Sequence, residues 1–300
     1  MEKQKEWWLN PLADDIHTFF LAQEKNIPLF KAQSPQLHLR RFLVDWLAVV
    51  CDQVEICLTA RHLAVYFMDY FMDNYDIDET QLHLVAIGCL LVASKYEEQE
   101  SKIPRAVQLN KFVSNCQGGY PLHMYLQMEL TLLQFFHWNV SMTTAAHLID
   151  YYMKFSVEET DYHGDRLILC LAKAQEYVLK YANYFLEISL QDYKFRYSLP
   201  SNVASACIAA SRICLHLSPT WTVHLQKVTG YCLEKIMPCV ELMLKAHQVD
   251  ELAMNNPRLD GSASDKTSVV LNSPHNKSVC SLSSNASTPS PYMMQVRPAS

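Results

Sequence analysis

Positive charge is scarce in this sequence: 25 Lys and Arg stand against 31 Asp and Glu, a formal net charge of -6. The basic excess that tracks phosphate backbones or anionic lipid is missing, so neither nucleic acid nor a membrane is an expected partner. Glycine is sparse as well, six in 300 residues, and no phosphate-cradling glycine loop can be built from them. No CxxC pair, HExxH or ligand-spaced His/Cys group occurs among the twelve histidines and ten cysteines, so no metal site is expected. Nor can a nucleophile be matched with a base partner. The reading is of a non-catalytic protein without a cofactor.

Further absences bound the setting. The opening MEKQKEWWLN has charges and two tryptophans where a secretory signal needs an apolar stretch. The expectation is an intracellular protein, nuclear or cytoplasmic, that is not secreted. In a reducing compartment Cys89, Cys170, Cys207 and Cys214, set among aliphatics, read as small buried hydrophobes rather than disulfide partners. The most apolar segment, Leu82 to Ala93, is interrupted by His83 and Gly88 and falls short of the roughly 20 residues a bilayer requires.

What the sequence does have is helical periodicity. Leu39, Phe42, Leu43, Trp46, Leu47 and Val50 follow the i, i+3, i+4, i+7 spacing of one buried stripe, behind a start marked by Ser34-Pro35. Leu63, Tyr66, Phe67, Tyr70 and Phe71 form a second stripe, and Leu82–Ala93 reads as a core helix surrounded by neighbours. Pro104 opens a fourth helix, and Gly118-Gly119 separates it from a fifth carrying Leu122, Tyr125, Leu126, Leu130 and Leu133. A long amphipathic stripe from Leu167 through Phe185 follows, then SNVASACIAASRICL. There Val203-Ala204-x-x-Cys207-Ile208 echoes Val85-Ala86-x-x-Cys89-Leu90. A last helix runs from Tyr231 towards His247, with Pro238 expected to kink or restart it. No useful strand-period alternation occurs. The expectation is all-α: an N-terminal helical extension over residues 1–30, helical units over 31–142 and 143–250, and a disordered Ser/Pro/Asn-rich tail over 251–300.

Against this background LLVASKYEEQE, residues 90–100, is odd, because a core helix ends in Lys95 and the acids Glu97, Glu98 and Glu100. Glu129 likewise falls among Tyr125, Leu126, Leu130 and Leu133 on the fifth helix. An unpaired buried carboxylate costs several kcal/mol, so Glu129 should either pair with a cation such as Lys95 or lie at the rim of an interface. The three acids read as a solvated helix end, although they oppose the macrodipole there.

Several ordered blocks resemble the cyclin family. Arg40-Arg41-Phe42-Leu43-Val44-Asp45-Trp46-Leu47, His62-Leu63-Ala64-Val65 with Asp69 and Phe71, and Leu90 through Glu98 look like the cyclin box. Met128-Glu129-Leu130 and Trp138-Asn139-Val140 look like its end; Phe185–Leu190, Leu199-Pro200-Ser201, Trp221, Lys227, Thr229-Gly230-Tyr231 and Pro238-Cys239 are similar to the second cyclin fold. Within the family the paired tryptophans, Gln33–Leu37 and Phe185–Tyr193 look most like the J-type members.

The resemblance implies two five-helix repeats acting as the regulatory, activating subunit of a cyclin-dependent Ser/Thr kinase. Kinase contact would fall to Lys95, Tyr96, Glu97, Glu98, Glu129, Leu133 and Trp138, with Arg40 and Asp69 as a structural pair. Leu39, Phe42, Leu43, Trp46 and His83 match a patch by which some cyclins recruit substrate or inhibitor proteins. The chain departs from that pattern at Arg41, at His83 and at Val49, where an acid is lost. In the tail Ser273, Thr288 and Ser290 precede proline and suit a proline-directed kinase. The alternative is a cyclin-fold adaptor that activates no kinase.

Overall fold

The computed structural model describes residues 6–113, 119–255 and 295–296. The chain divides into two compact units, one of Pro28–Ser141 with Thr267–Ser300, the other of Met1–Ile27 with Met142–Lys266. The N-terminal segment, expected as a separate extension, thus groups with the later half of the chain.

The first of these units holds α2 (Arg40–Val54), α3 (Leu58–Asn74), α4 (Leu82–Glu97), the short α5 (Ala106–Leu109) and α6 (Leu122–Phe135), following α1 (Ala13–Gln23) of the other unit. Every residue of α4 except His83, Lys95, Tyr96 and Glu97 is buried, because α3, α2 and α6 pack around it. This is why a helix can be apolar on every side. Where α4 meets α6, Gly88 has no room for a side chain: a Cβ there would lie 2.5 Å from Met128 Cγ and 3.1 Å from Leu132 Cδ1. Gly88→Ala is therefore expected to force Met128 aside and destabilise this unit by about 1–3 kcal/mol, read as a lower urea midpoint.

Two carboxylates fix the first unit's entry. Asp73, 2% exposed, accepts the N–H groups of Lys31, Ala32 and Gln33 at 2.6, 3.2 and 2.8 Å, pinning the strand of chain ahead of α2. Asp69 on α3 accepts Arg40 Nε at 2.6 Å and Nη2 at 2.9 Å, with both side chains buried.

The other unit contains α1 with α7 (Ala145–Met153), α8 (Leu171–Gln191), α9 (Pro200–Cys214), α10 (Val223–Thr229) and α11 (Leu233–Asn255). Here α9 occupies the position α4 has in the first unit: α7, α8 and α11 surround it. The echoed residues Val203, Ala204, Cys207 and Ile208 are as buried as Val85, Ala86, Cys89 and Leu90. Pro200 sits in the first turn of α9, and Ser201 donates its N–H and hydroxyl to Glu24 at 2.9 and 2.7 Å. The carboxylate satisfies donors that a helix start leaves open. α1 packs on α7 through His17, stacked 4.5 Å from Tyr151 with its Nε2 3.2 Å from Tyr152 OH, and Trp7 stacks 5.4 Å from the same Tyr151 ring.

Four boundaries differ from the sequence reading. α8 begins at Leu171, so Leu167 lies in a small sheet of β2 (Tyr162–His163), β3 (Arg166–Leu167) and β4 (Leu217–Ser218), and Cys170 is the N-cap. Pro104 precedes the N-cap Arg105 of α5 instead of opening the helix. α11 runs on through Pro238 as one helix instead of restarting there, with the bond to Glu234 O left unmade. The same helix continues to Asn255, past the expected start of the tail at 251. Ser273, Thr288 and Ser290 lie outside the described residues.

Candidate functional site

At the C-terminal end of α4 the burial pattern changes within one residue. Ser94 is fully buried, while Lys95 and Tyr96 are exposed. Lys95 Nζ donates to both carboxylate oxygens of Glu129 on α6, at 2.6 and 2.7 Å. The side chains are 46% and 15% exposed, so the ion pair stands at the surface, internally satisfied and still accessible on the lysine side. Of the readings left open by the sequence, the ion pair with Lys95 is present, and it lies on an outer face. An exposed pair of this kind contributes only about 0–1 kcal/mol to folding.

The surroundings of that pair are apolar. Tyr96 is 49%, Leu130 47%, Leu126 55% and Trp138 66% exposed, with Leu122 further along α6. The expected stripe of α6 is thus two faces: Tyr125, Met128 and Leu132 enter the core, whereas Leu122, Leu126 and Leu130 point out. A hydrophobic residue at helical spacing does not say which face a neighbour covers, and here three leucines are left on the outer face. Leu133 is half-buried beside it. At the end of α6, His137 and Trp138 take positive φ values of 50° and 61°, and Trp138 N–H donates to Leu133 O at 2.8 Å. Two successive non-glycine residues in the left-handed region are costly, of order 1–2 kcal/mol each, and here they turn Trp138 outward.

The acids after Lys95 have separate surroundings. Glu98 accepts the N–H of Cys57, the N-cap of α3, at 2.6 Å, so it caps a neighbouring helix. Glu97 is half-buried, and Glu100 is exposed in a short 3-10 turn. No sequence rule pairs Glu98 with Cys57; only the packing of α4 beside the start of α3 does.

The expected substrate patch is only partly assembled. Phe42 and Val49 are 39% and 44% exposed; Leu39, Trp46 and His83 are half-buried. Leu43, at 1%, belongs to the core. The His83 ring stands edge-on to Trp46 at 4.7 Å and to Phe42 at 5.9 Å, and burial holds its pKa below the usual histidine value. Arg41 is tied to Asp45 at 2.9 and 3.1 Å. The result is a largely apolar surface bordered by the Arg41–Asp45 ion pair, whose arginine side chain is 52% exposed.

Two further features were missed by sequence reasoning. On α1 and just before it, Leu9, Leu12 and Phe19 are 64%, 58% and 51% exposed; their helical spacing was the available signal. Arg212, the single cation inside the small-residue helix α9, is fully buried and held by Asp161. Among the described residues no group of three or more His, Cys, Asp or Glu side chains could hold a metal, and no helix is long and apolar enough to cross a membrane.

Comparison with known proteins identifies the family of the fold. The family model described as cyclin, N-terminal domain, matches residues 15–141, and that described as cyclin, C-terminal domain, matches 165–269. Cyclin-J of Xenopus laevis is 47% identical over 252 residues, covering 83% of this chain and 66% of its own length; the chain thus spans just under two thirds of that relative. The X-ray structure of a viral cyclin from herpesvirus saimiri superposes with a TM-score of 0.59 at 14% identity, over 76% of this chain and 94% of that one. A chain of the yeast RNA Pol II CTD kinase CTDK-1 complex gives 0.51 at 12%, covering 70% and 65%. With both halves matched in order by the two domain models, this chain belongs to the cyclin family.

Proposed function

We propose that this protein is the non-catalytic activating subunit of a cyclin-dependent Ser/Thr kinase, and that it grips the kinase at the end of α4 and along α6. The observation that carries this reading is the Lys95 to Glu129 ion pair, worth little to folding yet set among the exposed Tyr96, Leu126, Leu130 and Trp138. Apolar contact would supply the affinity, and the ion pair would fix the register. Lys95 retains a donor for a partner carbonyl, while Glu129 is held in place by Lys95.

The mechanism is a population shift. A kinase holds nucleotide phosphates productively only when its own Lys to Glu ion pair has formed, which requires its movable helix to swing inward. A subunit whose surface fits only the inward helix stabilises that state by its differential affinity. The outward turn of Trp138 supports the reading, because backbone strain of this kind persists where surrounding structure and function retain it. Phe42, Val49, Trp46 and His83 offer an apolar surface on which the same complex would recruit substrate or inhibitor peptides.

The test is purification of the chain from cells at physiological salt, with identification of co-purifying kinases and assay of Ser/Thr phosphorylation. Lys95→Glu places two carboxylates together at the exposed face and is expected to weaken kinase capture at least ~10-fold, or about 1.4 kcal/mol, with an unchanged circular dichroism spectrum. A folded Lys95→Glu chain that retains the kinase fully would favour the adaptor reading.

A further inference from the structure

The first unit contains a strand that the proposed kinase contact does not use. Directly after α3 the chain forms a two-residue strand, β1 (Tyr75–Asp76), between helices α3 and α4. It is firmly seated. The Tyr75 ring stacks on Phe71 at 4.6 Å and meets Phe135 edge-on at 5.5 Å, and Phe71 meets Phe135 at 5.3 Å. On the next residue the Asp76 carboxylate accepts from Gln36 Nε2 at 2.7 Å, and Ile77 is buried. Short and held by these contacts, with Asp76 exposed, such a strand presents a template for an extended segment.

The segment that meets it is β5 (Gln295–Val296), antiparallel, with Tyr75 opposite Val296 and Asp76 opposite Gln295. We propose that the Tyr75–Asp76 edge is a docking strand for extended peptide, and that its occupant is the chain's own C-terminal segment around Gln295–Val296. Recognition is by strand addition: main-chain hydrogen bonds supply the affinity, and side chains of alternate residues supply the selectivity. Charge favours this occupant. The run Tyr75–Gln81 contains Asp76, Asp78 and Glu79 and no cation, whereas Met293–Pro298 contains Arg297 and no acid. Chain length allows it too, since the segment between Asn255 and Gln295 can extend over more than ~100 Å at about 3.3 Å per residue. The docked segment also covers a strand edge that would otherwise invite pairing with another chain.

Hydrogen exchange on the full chain tests this. In Gln295→Pro/Val296→Pro neither position has an N–H, so the one that faces β1 is removed whichever it is, and the backbone of Tyr75–Gln81 is expected to exchange roughly threefold faster or more, with α3 and α4 unchanged. In Gln295→Ala/Val296→Ala the donors remain, and protection of Tyr75–Gln81 is expected to persist. Equal exchange of Tyr75–Gln81 in the parent and the proline variant overturns the proposal, as does an acceleration spread through α3 and α4. Loss of protection in the alanine variant overturns recognition through the backbone.

Discussion

Arg212→Met should unfold the later unit at markedly lower urea, with an expected loss of about 3–5 kcal/mol. The side chain is 0% exposed, and each of its hydrogen bonds is specified by the surrounding loop. Nη1 donates to Ser156 O at 2.6 Å and Asp161 Oδ2 at 2.7 Å, Nη2 donates to Asp161 Oδ1 at 2.8 Å and to Pro219 O, and Nε donates to Thr220 O at 3.1 Å. Methionine fills much of the volume and supplies none of these donors. Asp161 would then be a fully buried carboxylate left with the Glu158 N–H, at 2.8 Å, as its hydrogen bond. That uncompensated charge, more than the lost attraction, sets the size of the effect. The companion Arg212→Met/Asp161→Leu, which removes both charges, is expected to recover at least half of the loss. Urea unfolding followed by circular dichroism checks both, and a cost below ~1 kcal/mol for Arg212→Met would refute the argument.

A second large effect is expected in the first unit, where Asp69→Ala removes the carboxylate that receives Arg40 in a two-point contact. Both residues are 2% exposed, so water cannot replace the lost counter-charge, and about 3–5 kcal/mol is again the expected cost. The comparison with Lys95 and Glu129 is instructive. Substituting Glu129→Ala should change stability by no more than about 1 kcal/mol, because that pair is partly solvated. The two ion pairs have similar distances, and burial is what separates their expected contributions to stability. A thermal unfolding series on Asp69→Ala and Glu129→Ala would display this difference directly. Equal losses would place both pairs in the structural role.

Much of this architecture was legible before any coordinates. The apolar run that became α4, the small-residue run that became α9 and the echo between them identify two central helices, because a helix apolar all round must be enclosed. Lys95 and Glu129 were legible as an oddity, charges placed where periodicity called for hydrophobes. Arg40 and Asp69 were suggested by resemblance alone.

The sequence by itself determined where helices form and which ones lie at the centre, since those follow from local periodicity and from the cost of leaving apolar surface in water. Tertiary structure alone decided which face of α6 is covered, so that Leu122, Leu126 and Leu130 are outside and Tyr125, Met128 and Leu132 inside. It also decided the partners of Glu98, Glu24 and Arg212, which lie far off in the chain at Cys57, Ser201 and Asp161. The reason is physical: a carboxylate or guanidinium specifies the chemistry of its partner but not its address, and the address is fixed only when whole helices pack and exclude water around the pair.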